Sequence, residues 1–174
     1  SKKYALVTGG ATGIGKSIAI ALAGEGCNVA ICDILKNELE SAAEEIQNAG
    51  VDCIAIQADA TVESDIHRVI DELLELWGTL HILVNNVGGG GGRVTYNTEN
   101  APREIWQKVF NLNAGAATKF TVRLIPVMKQ NGWGRIVTIA SIQGKEGGGR
   151  PWYTMAKSAE ITLMKTLAMD SKLS

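Results

Sequence analysis

Twelve residues near the start of the chain, Tyr4-Ala-Leu-Val-Thr8-Gly9-Gly10-Ala-Thr12-Gly13-Ile14-Gly15, constrain its fold more than any other stretch. A short apolar run ends at Thr8, four glycines fall among the next seven residues, and Ile18, Ala19, Leu22 and Ala23 follow at helical spacing. The order spelled is strand, glycine turn, helix. N–H groups at such a helix start point outward unpaired, and the helix dipole favours negative charge there. Glycine lets the turn close tightly and lets a phosphate reach the backbone with no Cβ in the way. The stretch is expected to hold a phosphate.

Two phosphate motifs overlap in it. Gly9, Gly13 and Gly15 make a Gly-x-x-x-Gly-x-Gly spacing, a dinucleotide-binding variant of the Rossmann turn. Gly10 to Ser17 also fits a P-loop ending in Gly15-Lys16-Ser17, with Val29–Asp33 as an acidic strand that could support Mg²⁺. Taken alone, the turn does not choose between them.

Further along, strands are expected at Asn28–Cys32 closed by Asp33, at Cys53–Ala58 ending at Asp59, at His81–Val84 running into Asn85-Asn86-Val87-Gly88, and at Arg135–Ala140 closed by Ser141. Between them lie helices. One runs from Lys36 to Ala49 and stops at Gly50. The next is capped by Thr61, with Ile66, Val69, Ile70, Leu73, Leu74 and Trp77 on its apolar face. A long one spans Pro102 to about Gln130, narrowed or kinked by Pro126. The last runs from Trp152 to Leu173 and carries Tyr153 and Lys157. Gly88–Gly92, five glycines in a row, can only be a mobile or tightly wrapped loop, and a second glycine-rich loop joins Ser141 to Pro151. Alternating strands and helices predict an α/β fold: a Rossmann-like doubly wound parallel sheet of five strands with helices on both faces. In such sheets ligands bind beyond the carboxyl ends of the strands, where the glycine turn, Asp33, Asp59, Asn85-Asn86 and Ser141 all fall.

Bulk properties exclude several classes. At 174 residues the chain suits a single domain, residues 1–174. A net charge of −1 argues against nucleic acid as a main partner. No apolar run approaches the ~18 residues of a membrane helix, and no signal peptide precedes Tyr4, so no membrane role is expected. Three cysteines, Cys27, Cys32 and Cys53, sit in or beside strands and read as packing thiols of a reduced, cytoplasmic protein. His67 and His81 lack metal-ligand spacing, so no metal site is expected.

With these elements placed, the chain resembles the classical branch of the short-chain dehydrogenase/reductase family over nearly all its length. Thr8-Gly-Gly-Ala-Thr-Gly-Ile-Gly15 is similar to that family's cofactor turn, Asp59 to its adenine-contacting aspartate after strand three, and Asn85-Asn86-Val87-Gly88 to its Asn-Asn-Ala-Gly. Asn113, Ser141, Tyr153 and Lys157 match its catalytic tetrad in order and spacing. A lone Tyr-x-x-x-Lys arises often by chance; the full set in order does not. The resemblance implies the strand order 3-2-1-4-5, and NAD-type cofactor binding by Gly9, Thr12, Gly13, Ile14, Gly15, Asp33, Asp59, Ala60, Asn86, Gly88, Tyr153 and Lys157. It leaves Lys16 as an exposed helix residue, and a P-loop NTPase would leave the tetrad unexplained.

The tetrad also makes chemical sense residue by residue. Tyr153 and Lys157 lie four apart and share a helix face. A free tyrosine, with a pKa of about 10, is too weak an acid to serve as a base near neutrality, and a nearby ammonium favours its phenolate. Tyr153 can then take a proton from a substrate hydroxyl as hydride leaves, or return it in the other direction. Ser141 can hydrogen-bond the same substrate oxygen. Asn113 is a poor helix former in mid-helix, with Asn111 as its competitor for that role. The resemblance implies that Asn113 opens the helix and holds a water leading to Lys157, and that Lys157 bonds the nicotinamide ribose.

Asp33, about twenty residues past the turn, can accept from the ribose hydroxyls of NAD and would repel a 2′-phosphate. Thr12 lacks the positive charge that NADP-binding relatives often carry, although Lys36 is near in sequence. NAD is the expected cofactor and a small alcohol or carbonyl compound the expected substrate. A non-catalytic dinucleotide-binding protein and a nucleotide-sugar epimerase are the alternatives. Arg93, Lys145 and Arg150 hint faintly at an acidic substrate group. Relatives continue with two further strands and a lid, so the C-terminal strands are absent from this stretch, which is expected to be part of a longer protein. The resemblance further implies a homotetramer or homodimer paired through the two long helices.

Overall fold

In a computed structural model of the chain, residues 2–90 and 102–170 are described. Five strands form one parallel sheet in the order β3-β2-β1-β4-β5: β1 Tyr4–Thr8, β2 Asn28–Asp33, β3 Cys53–Gln57, β4 Ile82–Asn85 and β5 Arg135–Thr138. The expected order is the observed one. Helices α1 Gly13–Gly24, α2 Lys36–Gln47 and α3 Glu63–Trp77 connect the first four strands. After β4 come α4 Arg103–Phe110, a π-helical turn Asn111–Gly115 and α5 Ala116–Gln130. After β5 come a short α6, Ile142–Glu146, and α7, Pro151–Met169. Among the described residues no helix is long and apolar enough to cross a membrane.

Alternate residues of each strand feed opposite faces of the sheet, as the pleat requires. Leu6, Ala30, Ile56 and Leu83 pack with Ile66, Val69, Ile70 and Leu73 of α3 and with Phe120 and Leu124 of α5. Val7, Val29, Ile31 and Val84 pack with Ala19 and Ala23 of α1 and Leu39, Ala42 and Ile46 of α2. The strands are near-continuous apolar runs because both faces are covered. In-register pairing sets Thr8 beside Cys32, Asp33 beside Gln57 and Asn85 beside Thr138. The residues that follow those positions therefore line one edge of the molecule together.

Several local expectations are corrected. Thr61 does not cap α3; Val62 takes that place, and the Thr61 hydroxyl and N–H both donate to Asp59 Oδ1, at 2.7 and 2.8 Å. The helix expected to end at Ala49 stops at Gln47, and Gly50, at φ +77°, turns the chain by donating to the Gln47 carbonyl. β3 and β5 each end sooner than expected, at Gln57 and Thr138. The loop from Ser141 to Pro151 contains α6, whose start Ser141 caps by accepting from Gln143 N–H at 3.3 Å. The long helix is not uniform but passes through the π turn, and it continues through Pro126 to Gln130. Arg93 and Gly91-Gly92 lie outside the described residues, as do the last residues of the expected final helix.

Candidate active site

The glycine turn is built by close approach. Gly9 and Gly10 N–H both donate to the Cys32 carbonyl, at 2.8 and 3.3 Å, folding the chain back over β2. A Cβ at Gly15 would stand 2.1 Å from the Gly9 carbonyl oxygen, so only glycine lets the helix start lie on the turn. Gly9 and Gly13 have φ of +64° and +54°. A Cβ at Gly13 would meet nothing within 4 Å, which leaves the space before the helix open. Thr12 gives no side-chain cap, and the first turn of α1 carries no acidic residue. The outward N–H groups there have no intrahelical acceptor. A helix start with amides free, an open approach and no resident carboxylate fits a dinucleotide pyrophosphate.

Lys16 does not serve that space as a P-loop lysine would. Its ammonium pairs with Glu45 of α2 at 2.5 Å. Asp33 stands at the end of β2 with Oδ2 accepting from Ala11 N–H and Oδ1 from Leu35 N–H, both at 3.3 Å. Its carboxylate is thus held against the glycine turn. Ile14 of the first helical turn is exposed. Asp59 is half-buried, with one oxygen committed to Thr61, and Ala60 is buried.

Thr8 and Asn86 lock the turn to β4. The Thr8 hydroxyl accepts from Asn86 and Val87 N–H, at 3.0 and 3.1 Å, and donates to the Val84 carbonyl. The Asn86 amide donates to the Thr8 and Gly9 carbonyls at 3.1 and 3.0 Å. Asn86 thus reaches the turn as its clamp. Cys32 behind the turn is buried, and burial pushes its thiol up to about 12, so it stays protonated and inert.

On the other side of the sheet end, Asn113 is fully buried while Asn111 is exposed. The Asn113 Nδ2 donates to the Val109 carbonyl at 2.7 Å and to the Gly89 carbonyl at 2.9 Å, and its Oδ1 accepts from Gly89 N–H at 3.1 Å. The Val109 carbonyl is the one that α-helical continuation would pair with Asn113's own N–H. The side chain bonds that same carbonyl where the helix widens into the π turn. Gly88 threads between: a Cβ there would lie 2.5 Å from Asn113 Oδ1 and 2.9 Å from Lys157 Nζ.

Lys157 is 3% exposed. Its ammonium donates to the Ile139 carbonyl, just past β5, at 2.9 Å, and lies 5.7 Å from the ring centroid of Tyr153. It also pairs with Glu160, at 2.9 Å to Oε2 and 3.2 Å to Oε1. Tyr153 is half-buried near the start of α7. Ser141 enters α6, and α6 rests on α7 so closely that a Cβ at Gly144 would stand 2.6 Å from the Lys157 carbonyl carbon. The structure thus gathers Asn113, Gly88 and Lys157 in one cluster, with Tyr153 one helical turn away and Ser141 on the helix that packs beside them.

The chain matches the family model described as short chain dehydrogenase over residues 3–173. The chain belongs to the short-chain dehydrogenase/reductase family. Zerumbone synthase of Zingiber zerumbet is 36% identical over 97% of this chain and 62% of its own. An uncharacterized oxidoreductase, YxjF, of Bacillus subtilis is 34% identical, and the 7alpha-hydroxysteroid dehydrogenase of Escherichia coli 31%; each match covers 97% of this chain and 65% of the relative. Among solved structures, NAD+-bound xylitol dehydrogenase aligns with a TM-score of 0.89 at 30% identity, over 97% of this chain and 64% of that one. L-sorbose reductase from Gluconobacter frateurii, complexed with NADPH and L-sorbose, aligns at 0.92 and 30%, over 98% and 64%. The chain therefore spans about two thirds of the length of these relatives. Members of this short-chain dehydrogenase/reductase family are oxidoreductases that bind a nicotinamide dinucleotide.

Two features of this family member were not foreseen from its sequence. Glu160, a glutamate three residues after a lysine on a helix, carries no local signal of its burial, yet it is 1% exposed. Arg150, which donates to the Gly90 carbonyl at 3.0 Å, carries no local signal for that contact 60 residues away.

Proposed function

We propose that the protein is an NAD-dependent oxidoreductase that transfers hydride between the nicotinamide and an alcohol or carbonyl substrate, with Tyr153 as general acid–base. The observation that carries this reading is the buried Lys157 ammonium 5.7 Å from the Tyr153 ring. Lysines are almost never fully buried unless paired, and Lys157 is paired with Glu160, so the support for the reading lies in its closeness to Tyr153. When bound, the nicotinamide supplies a hydride acceptor or, reduced, a hydride donor. The Tyr153 oxygen then moves the proton, taking it as phenolate from a substrate hydroxyl or giving it as phenol to a developing alkoxide. The Ser141 Oγ accepts from Gln143 N–H, which leaves its own proton free for the substrate oxygen. Asn113 fixes the Gly89 backbone and the π turn, and so holds the wall against which Lys157 sits.

A panel of secondary alcohols and ketones, followed by NADH absorbance on the full-length protein, tests the reading. Tyr153→Phe should lower kcat by about 10²–10⁴-fold while NADH still binds. Unchanged turnover in that variant would overturn it, and would favour a dinucleotide-binding protein without chemistry.

NAD is favoured over NADP by Asp33. One pair of like charges ~4 Å apart costs about 1–4 kcal/mol between bulk water and a surface-like dielectric, which a 2′-phosphate would meet there. Asp33→Ala should bring kcat/KM for NADP toward that for NAD; comparable values in the unmodified protein would reject the preference. A homodimer or homotetramer is the proposed assembly, checked by light scattering.

A further inference from the structure

The buried cluster has one member that the proposed reaction does not use. Glu160 lies three residues after Lys157, on the same face of α7, and is 1% exposed. Both its carboxylate oxygens accept from the Lys157 ammonium, which gives its remaining hydrogen bond to the Ile139 carbonyl. An ammonium has three donors, and all three are engaged here, so a bond from Lys157 to a nicotinamide ribose, which the resemblance implies, would have to displace one of them. Burial pushes the Glu160 carboxyl above the ordinary carboxylate range, and the hydrogen bond and charge of Lys157 offset only part of that rise.

Among the described residues, no charge on a neighbouring element is bonded to the pair. Lys119 and Arg123 of α5 turn to Glu63 and Asp71 of α3. The other charges on elements packed on α7 are Lys129 of α5, Arg103, Glu104 and Lys108 of α4, Lys145 and Glu146 of α6, and Arg135 of β5. Lys157 alone among them acts on the Glu160 carboxyl.

We propose that Glu160 is a positioning residue: its carboxylate is the counter-ion that keeps the buried Lys157 charged, draws the ammonium toward Ile139, and so sets the pH range over which Tyr153 and Lys157 work. This rests on the roles given to Tyr153 and Lys157 above. A buried ammonium without its counter-ion loses its proton more readily. Removing a negative charge lowers the pKa of every neighbouring group, the phenol and the ammonium alike. Both limbs of the pH profile therefore move the same way.

The test is Glu160→Gln in the full-length protein, which keeps shape and an acceptor oxygen but not the charge. Both limbs of the pH profile of kcat/KM for alcohol oxidation should move to lower pH, the falling limb by about 1–3 units. Glu160→Asp, which retains the charge, should return them toward their original positions. Limbs that stay in place in Glu160→Gln, even with a lowered kcat, would show a merely structural role and overturn the proposal; so would Asp behaving as Gln does.

Should the Gln variant not fold, carbon-13 NMR of the Glu160 carboxyl in the unmodified protein decides. Ionisation across the working pH range supports the proposal, and a carboxyl protonated throughout that range overturns it. Tyr153 titration by phenolate absorbance, referenced to Tyr153→Phe, needs no turnover. If it moves acid-ward in Glu160→Gln while no alcohol is oxidised by the unmodified protein, the functional reading fails and the hold of Glu160 on Lys157 stands. Tyr153-dependent turnover with unmoved limbs means the opposite: the oxidoreductase stands and the role of Glu160 falls.

Discussion

Gly88 is held to its size by two neighbours that cannot retreat. Asn113 is fixed by three hydrogen bonds and Lys157 by its own three, so a methyl group 2.5 Å from one and 2.9 Å from the other has nowhere to go. Overpacking of this kind costs about 1–3 kcal/mol. Gly88→Ala should lose that much in denaturant titration, and should lose turnover beyond what the unfolded fraction explains. At this scale the sequence was informative about residue identity and poor about reason. Gly13 and Gly15 look alike in the motif, yet one is needed for its positive φ and the other for a contact with backbone. Glu160 was illegible because a glutamate three residues from a lysine on a helix usually faces water. Burial depends on what packs over the helix, and that lies outside the local sequence.

Among elements, the β1–β4 junction carries a pH response. His81 Nδ1 accepts from Tyr4 N–H at 3.3 Å, and its ring stacks on Tyr4 with centroids 5.7 Å apart. An acceptor nitrogen requires the neutral ring. Burial first, and then the Lys3 charge, hold His81 below the ordinary histidine value of 6.5. The unfolded chain therefore binds this proton at higher pH than the folded one. The stabilisation is complete above about pH 6.5 and is lost as pH falls through the lower folded value. Thermal melts should show Tm dropping over that window, and His81→Asn should flatten this part of the curve.

Strands and long helices were legible because apolar periodicity and glycine stops mark them. The short α6 was not, since five residues with a glycine in their middle carry too little periodicity to read. The Thr61 cap was not met because the helix starts one residue later, after Val62, while Asp59 accepts from both the Thr61 hydroxyl and N–H.

For the whole molecule, the alternation of elements was enough to give a parallel sheet covered on both faces, because parallel strands need crossovers and crossovers leave few topologies; the strand order came with the family resemblance. The positions that follow the strand ends were therefore legible as a group. What lies beside β5 was not. Val137 is 48% exposed there, and Met128, Trp133, Ile136, Met164 and Leu167 line an open apolar groove along that edge. Nothing in the local pattern of Arg135–Thr138 separates a central strand from such an edge. The widened turn at Asn111–Gly115 ties these scales together. It amounts to one residue of slack in an otherwise tight coil. Excising Leu112 would take up that slack and close an ordinary α-helical turn, with Phe120 and Leu124 still facing the sheet. Asn113 would lose the wide turn that carries its side chain to Gly89. A single-codon loss here would spare the scaffold and remove one wall of the site.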